Sequence, residues 1–209
     1  MNTDESETLN DDEMSKSTYV ALIFNNYSDI KQNGEKFKDI GFPWLLIASD
    51  AFQAFVIGLT SFRIYRETSD PLWLEKAKDE QGSSWTFEHQ SNLMLAEEAY
   101  SSGDYEKAGA LYDNAILLAR RSKNLPDEAL ISELAAHFHL NVGNNKSAFD
   151  YYHIAYQKYV EWGAMAKVRK LNAFAHETFG AGFPSITFSI CANGSTVWPI
   201  DSRKKEATA

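Results

Sequence analysis

Four residue identities recur at a single offset in the middle of this chain. Gly103 and Gly143, Ala108 and Ala148, Tyr112 and Tyr152, and Ala115 and Ala155 are each 40 residues apart. Matches registered in this way mark an internal repeat, and a unit of about this length cannot bury its apolar face without stacking on a neighbour. In the first copy Leu93, Leu95, Ala96, Ala99 and Tyr100 describe a helix, and Ser101-Ser-Gly-Asp104 turns the chain. Tyr105, Ala108, Leu111, Tyr112, Ala115 and Ile116 then describe a second helix, with Asp104 placed to cap it. After Asn124-Leu-Pro126 the second copy repeats the pattern: Ala135, Ala136, His139 and Leu140, a turn at Gly143-Asn144, then Ala148, Tyr152, Ala155 and Tyr156. Alanine at the points of closest approach lets helix backbones come near, and the ring between them fills the gap to the next pair.

The flanks carry the pattern less clearly. Residues 1–15 are acidic and almost free of apolar side chains, which predicts a disordered tail. Tyr19, Leu22, Ile23, Tyr27 and Ile30 share one helical face, and Asn33-Gly34 reads as the end of that helix. A stop at Gly41-Phe-Pro43 precedes a long helix from Trp44 to Arg66, in which Gly58 falls where Ala96 and Ala136 fall in the later copies. Ser69-Asp70-Pro71 is an N-cap with proline at the first helical position, which starts a helix to about Lys78. Gln81-Gly-Ser-Ser84 reads as a loop, and a last helix from Ala164 to Phe179 would cap the array. Gly180 breaks it; residues 181–209 read as a weakly ordered tail with a hairpin-like Asn193-Gly194. The expected organisation is therefore a tail over 1–15, one helical-repeat domain over 16–180 and a tail over 181–209.

Charge narrows the function classes. The net charge is −9, but residues 1–14 hold six acids and no base, which leaves −3 for the other 195 residues. A near-neutral body without a basic stripe disfavours nucleic-acid binding. The single cysteine, Cys191, excludes an internal disulfide framework and suits a reducing, cytoplasmic location, and no signal-peptide pattern opens the chain. Ile40 to Phe62 is apolar enough to raise a membrane span. Asp50 near its middle would cost roughly 2.5–3.5 kcal/mol of insertion, so a buried helix is expected instead. The acceptor-like triplets at Asn26, Asn145 and Asn193 are read as chance matches.

Gly103-Asp-Tyr-Glu-Lys-Ala108 with Leu111-Tyr112 and Ala115 resembles the tetratricopeptide consensus. A narrower resemblance runs from about Phe37 to Lys170. It rests on Trp85-Thr-Phe-Glu-His89, Leu95-Ala-Glu-Glu-Ala99, Tyr112-Asp-Asn-Ala-Ile116, Glu128-Ala-Leu, Glu133-Leu-Ala-Ala136 and Trp162-Gly-Ala-Met-Ala-Lys-Val168. These are similar to the helical-repeat connector of predicted-ATPase hybrid sensor histidine kinases and related serine/threonine kinases. The resemblance implies an all-α fold of tetratricopeptide-like antiparallel helix pairs stacked as a short right-handed α-solenoid. It also implies a non-catalytic protein–protein interaction module of a signalling protein, with an inert fragment of a truncated kinase gene as the alternative. The chain has no phosphate-cradling Gly-rich loop ending in Lys-Ser/Thr, and His176-Glu177 continues Thr-Phe-Gly, unlike a phosphoacceptor box.

No residue constellation points to catalysis, a cofactor or a metal. His137 and His139 lie two apart on a helix and face different ways. Glu133 and His137 are four apart and read as an ordinary surface pair, without a third ligand at helical spacing. Glu97 and Glu98 read as a solvated face, and Trp85 and Trp162 as staples between helices. If the first helix of each pair lines a concave face, the register assigns Gln90, Met94, Glu97 and Ser101 to a groove in one pair. Leu130, Glu133, His137 and Asn141 line it in the next. Such a groove would be mildly acidic and would suit a protein or peptide partner of basic character.

Overall fold

The structure is a computed structural model that describes residues 11–37, 48–81 and 87–180. All regular structure among them is helical: α1 Asp11–Ile23, α2 Tyr27–Phe37, α3 Ala48–Thr68, α4 Pro71–Gln81, α5 Glu88–Ser101, α6 Tyr105–Arg121, α7 Leu125–Asn141, α8 Asn145–Trp162 and α9 Met165–Phe179. Gln81, expected to open a loop, is the last residue of α4; the rest of that loop, the Gly41-Phe-Pro43 stop with the helix start at Trp44, Trp85, Cys191 and the Asn193-Gly194 hairpin lie outside the described residues.

One turn recurs through the chain and sets its rhythm. α5, α6 and α7 end at residues 101, 121 and 141. In each case the second residue beyond, Gly103, Lys123 or Gly143, is left-handed, with φ of 81°, 57° and 79°. The next residue then caps the following helix: Asp104 accepts from Lys107 N, Asn124 from Asp127 N and Asn144 from Ser147 N. The backbone closes identically each time, Asp104 N donating to Ala99 O at 2.9 Å, Asn124 N to Ala119 O at 3.0 Å and Asn144 N to His139 O at 2.8 Å. The half-repeat is therefore 20 residues, and glycine serves two of these turns because the left-handed conformation costs it nothing.

Consecutive helices make the closest pairs, α3 with α4, α5 with α6 and α7 with α8, and α3, α5 and α7 pack on one another across the pairs. Ala96, Ala108, Ala115 and Tyr112 lie in one core cluster, and Ala136, Ala155 and Tyr152 in a second. Gly58 keeps its expected role as a close-approach residue, since a Cβ there would collide with the Met94 thioether. α7 is enclosed on nearly every side, with Asp127 to Glu133, Ala135, Ala136 and Phe138 all buried. No helix among the described residues is long and apolar enough to cross a membrane. α3, which carries most of the apolar run, buries Phe55, Val56, Leu59 and Phe62 against α5 and its neighbours.

The N-terminal region departs from the sequence expectation. Residues 11–15 belong to α1, not to a tail, because Met14 is buried against Ile57. The expected single helix to Asn33 is two: α1 ends at Ile23, Asn25 takes φ 48° and Asn26 bonds Asp29 at 2.7 Å at the start of α2. This is the same turn as between α5 and α6, with Asn26 N donating to Ala21 O at 2.9 Å. Asn33-Gly34 therefore lies inside α2, where a Cβ at Gly34 would strike Ile64.

Candidate interaction seam

The eight residues expected to line an open groove are the place to begin. Gln90, Met94, Glu97, Leu130 and Glu133 are buried, so the stripe on α5 and α7 is a seam between helices and not a free surface. Glu97 pairs with Arg66 of α3 at 2.6 Å and accepts from Tyr112 Oη at 2.6 Å, and Ser101 Oγ accepts from Arg66 at 3.3 Å. Glu133 pairs with Lys167 of α9 at 2.7 Å and accepts from Tyr159 Oη at 2.9 Å, with His137 3.7 Å away. His137 bonds Tyr152 Oη at 3.0 Å and packs on Phe174, and Asn141 donates to Tyr100 Oη at 2.7 Å. Helical spacing correctly groups each set of four on one face. It cannot say whether that face meets solvent or a neighbouring helix, and here a helix covers both.

The acids consequently do not make an open acidic surface. Glu97, read together with Glu98 as a solvated face, is buried, whereas Glu98 is partly exposed beside Lys78. Glu133 and His137 do share a face, but an interior one. Burial raises the Glu133 carboxyl, yet the Lys167 ammonium, with His137 nearby, outweighs it and holds the group below its usual value. Burial pulls the Arg66 guanidinium down, and Glu97 more than offsets it. Burial, reinforced by Glu97, drives the Tyr112 hydroxyl well above its usual range. His139, as expected, faces away from His137 and stacks on Tyr151 with ring centroids 5.1 Å apart. Trp162 is exposed and only flanks Tyr159, so it staples little.

The residue that organises the seam is Asp127, at the third position of α7. Its carboxylate accepts from His89 Nε2 at 2.7 Å, Gln90 Nε2 at 3.1 Å, Asn124 Nδ2 at 3.0 Å and Tyr19 Oη at 2.7 Å. Burial raises this carboxyl, but the hydrogen bonds from His89, Tyr19 and Gln90 prevail and leave it below its usual value. A carboxylate with four donors on its two oxygens is built to hold those donors in place, not to shuttle a proton. Three of the donors come from α5 and the α7 cap. Tyr19 comes from α1, 108 residues away in sequence.

α1 thus lies along the seam. Tyr19 also meets Phe52 of α3 edge-on at 5.2 Å, and Ile23 is buried in the cluster that contains Ala129 and Leu130 of α7 and Val168 of α9. Lys170 of α9 donates to the Phe24 carbonyl just past the end of α1. At the inner corner, Leu22, Asn25 and Ile30 face Leu59, Glu97 and Leu130 around a void of about 20 Å³. A wider cleft of about 370 Å³, open to solvent, lies between α6 and α8, floored by Ile116 and Ile154 and rimmed by Asp113 and Asp150.

Comparison gives the chain no relative. No family model matches it, and the curated proteins and the solved structures give no match either. Among the described residues no three His, Cys, Asp or Glu side chains stand together as metal ligands. Sequence reasoning missed Tyr19, Arg66, His89, Asp127 and Lys167. The one available signal was local: Asn124 and Asp127, three apart ahead of an apolar run, form a cap. Which helices bring the remaining partners is a matter of tertiary packing.

Proposed function

We propose that this chain is a non-catalytic protein–protein interaction module, a short right-handed solenoid of tetratricopeptide-like antiparallel helix pairs. It serves as a connector or scaffold in a sensor-kinase-like signalling system of the cytoplasm, and its partner is a protein or peptide. The observation that carries this reading is the seat of α1: a helical segment lies against α3, α7 and α9, with its tyrosine on a buried carboxylate and the carbonyl just past its end on a lysine. Recognition of a helix in a groove uses anchors of this kind at three- and four-residue spacing.

Chemical cross-linking of the tagged full chain in its source cell, followed by mass spectrometry, tests the reading. A single protein recovered in near-stoichiometric amount, and lost when the chain is unfolded, is the expected result. A chain that is expressed and helical by circular dichroism but cross-links to nothing specific would favour the inert-fragment alternative.

A further inference from the structure

The groove expected along α5 and α7 is closed, but an open one lies on the other helix of each pair. α6 packs on α5 and α7, and α8 on α7 and α9, which leaves the cleft of about 370 Å³ between α6 and α8. Asp113, Ile116 and Leu117 of α6 line one wall, and Asp150, Tyr151 and Ile154 of α8 the other. On each helix these residues stand three and four apart, so each wall is one helical face. Ile116 is buried, Leu117 is 41% exposed, and both aspartates are exposed.

The cleft is tied at both ends and not filled between them. Tyr151 Oη donates to Asp113 from one wall to the other, and the Tyr151 ring stacks on His139 of α7. Two turns along α6, the buried Glu128 carboxylate of α7 takes Arg120 of α6 at 2.8 Å and Lys158 of α8 at 3.5 Å. These ties fix the spacing of the walls, so the site is preformed. They also decide its charge. Arg120, the cation of the lining, is turned onto Glu128 and is neutralised there. Asp113 accepts only from a neutral hydroxyl, and neither aspartate forms an ion pair with another described residue. Burial raises the Tyr151 hydroxyl above its usual value, and both Asp113 and Asp150 raise it further, which places the two negative charges around one point of the rim.

We infer that this cleft binds a basic peptide segment of the partner. Its lysine or arginine heads reach Asp113 and Asp150, while their stems and adjoining aliphatic side chains cover Leu117 and Ile154. This rests on the interaction-module reading and names its surface and the chemistry of its ligand. Lysine and arginine suit both parts of the site, because each carries a charged head on an apolar stem. An acidic segment is repelled by the rim, and a purely apolar one takes water from the aspartates and gives them no partner. Exposed ion pairs contribute little singly, so binding is modest and weakens as salt rises.

The test selects a phage-displayed library of random short peptides on the full wild-type chain. Recovered sequences should be rich in lysine or arginine beside leucine, isoleucine or valine. One of them, fluorescently labelled, should bind the chain carrying Asp113→Asn and Asp150→Asn roughly 5-fold or more weakly. Leu117→Ser should weaken it by about the same factor. Asparagine still accepts from Tyr151 and all three positions are exposed, so these variants keep their circular dichroism. Glu75→Gln with Asp79→Asn makes the same charge change at exposed sites on α4 and should alter binding less than about 2-fold. No enrichment, enrichment of acidic or uncharged sequences, unchanged binding to the cleft variants, or an equal loss in the α4 variant would each overturn the inference. Should a cleft variant lose its helical signal, photo-cross-linking of the labelled peptide to the wild-type chain decides: cross-links within 113–120 and 147–154 support the cleft, and cross-links elsewhere refute it. These results are independent of the experiment in the source cell, which can recover a partner held by another surface while the cleft binds no peptide.

Discussion

The two copies of the repeat, α5–α6 and α7–α8, share a backbone but not a polar interior. Their turns close with the same hydrogen bonds, and Tyr112 and Tyr152 occupy the same place. Fifteen residues before each tyrosine stands its partner, yet Glu97 is a carboxylate and His137 an imidazole. The buried carboxylate of the second copy is Glu133, one turn earlier on α7. The difference follows from the neighbours. α5 lies beside α3, which supplies Arg66, and α7 lies beside α9, which supplies Lys167. Each acid stands where its cation can reach, and the repeat fixes the scaffold while the flanking helices fix the charge. A repeat thus permits different ends to be joined to the same stack.

The sharpest way to break this comparison is to remove the cations. Lys167→Met leaves Glu133 buried and uncompensated and should cost about 3–5 kcal/mol by urea unfolding. The Arg66 side chain as a whole is 17% exposed, against 2% for Lys167, so its site is the less enclosed of the two. Arg66→Met should therefore cost less, about 2–3 kcal/mol. Equal losses would show that the two pairs are equivalent after all.

Overpacking should be symmetric where the charges are not. Ala108→Leu and Ala148→Leu both insert bulk at sites with no exposed surface and should each cost ~1–3 kcal/mol in a thermal melt. A tolerated Ala108→Leu would remove the argument that alanine sets the helix spacing. Deleting the hydroxyls restores the asymmetry. Tyr112→Phe takes a donor from a buried carboxylate and should cost about 1.5–3 kcal/mol, against about 0.5–1.5 kcal/mol for Tyr152→Phe, whose partner His137 reaches water.

Acid perturbs the second copy without changing its sequence. Asp127 and Glu133 are both held below their usual values, so the stability they contribute is fully present above their unfolded values near 4. It is lost as pH falls through the lower folded values. Urea midpoints measured from pH 7 down to pH 3 should be flat and then decline, and Glu133→Gln should shallow that decline. The smallest effect belongs to the turns. Lys123 takes the left-handed conformation that Gly103 and Gly143 take freely, so Lys123→Gly should stabilise the chain by roughly 0.5–1 kcal/mol in the same assay.

Most helices were legible because their signals are local. The 40-residue offset, the caps at Asp104 and Asp70 and the proline at position 71 need only near neighbours to act, and all of them hold. The break at Asn25 was not legible, because asparagine is allowed within a helical pattern and only docking shows that the chain turns there. Nor was the tail legible as helix. Glu13 and Met14 look like part of an acidic run until Ile57 is seen to cover the methionine.

The sequence alone determined the period, the turns and which residues share a helical face, since these depend on backbone geometry within a few residues. Tertiary structure decided what each face meets. The register placed Gln90, Glu97 and Glu133 on an open groove, but a polar side chain is equally content in the interior when Asp127, Arg66 or Lys167 stands opposite. That opposition spans between 31 and 37 residues of chain, and no local pattern encodes it.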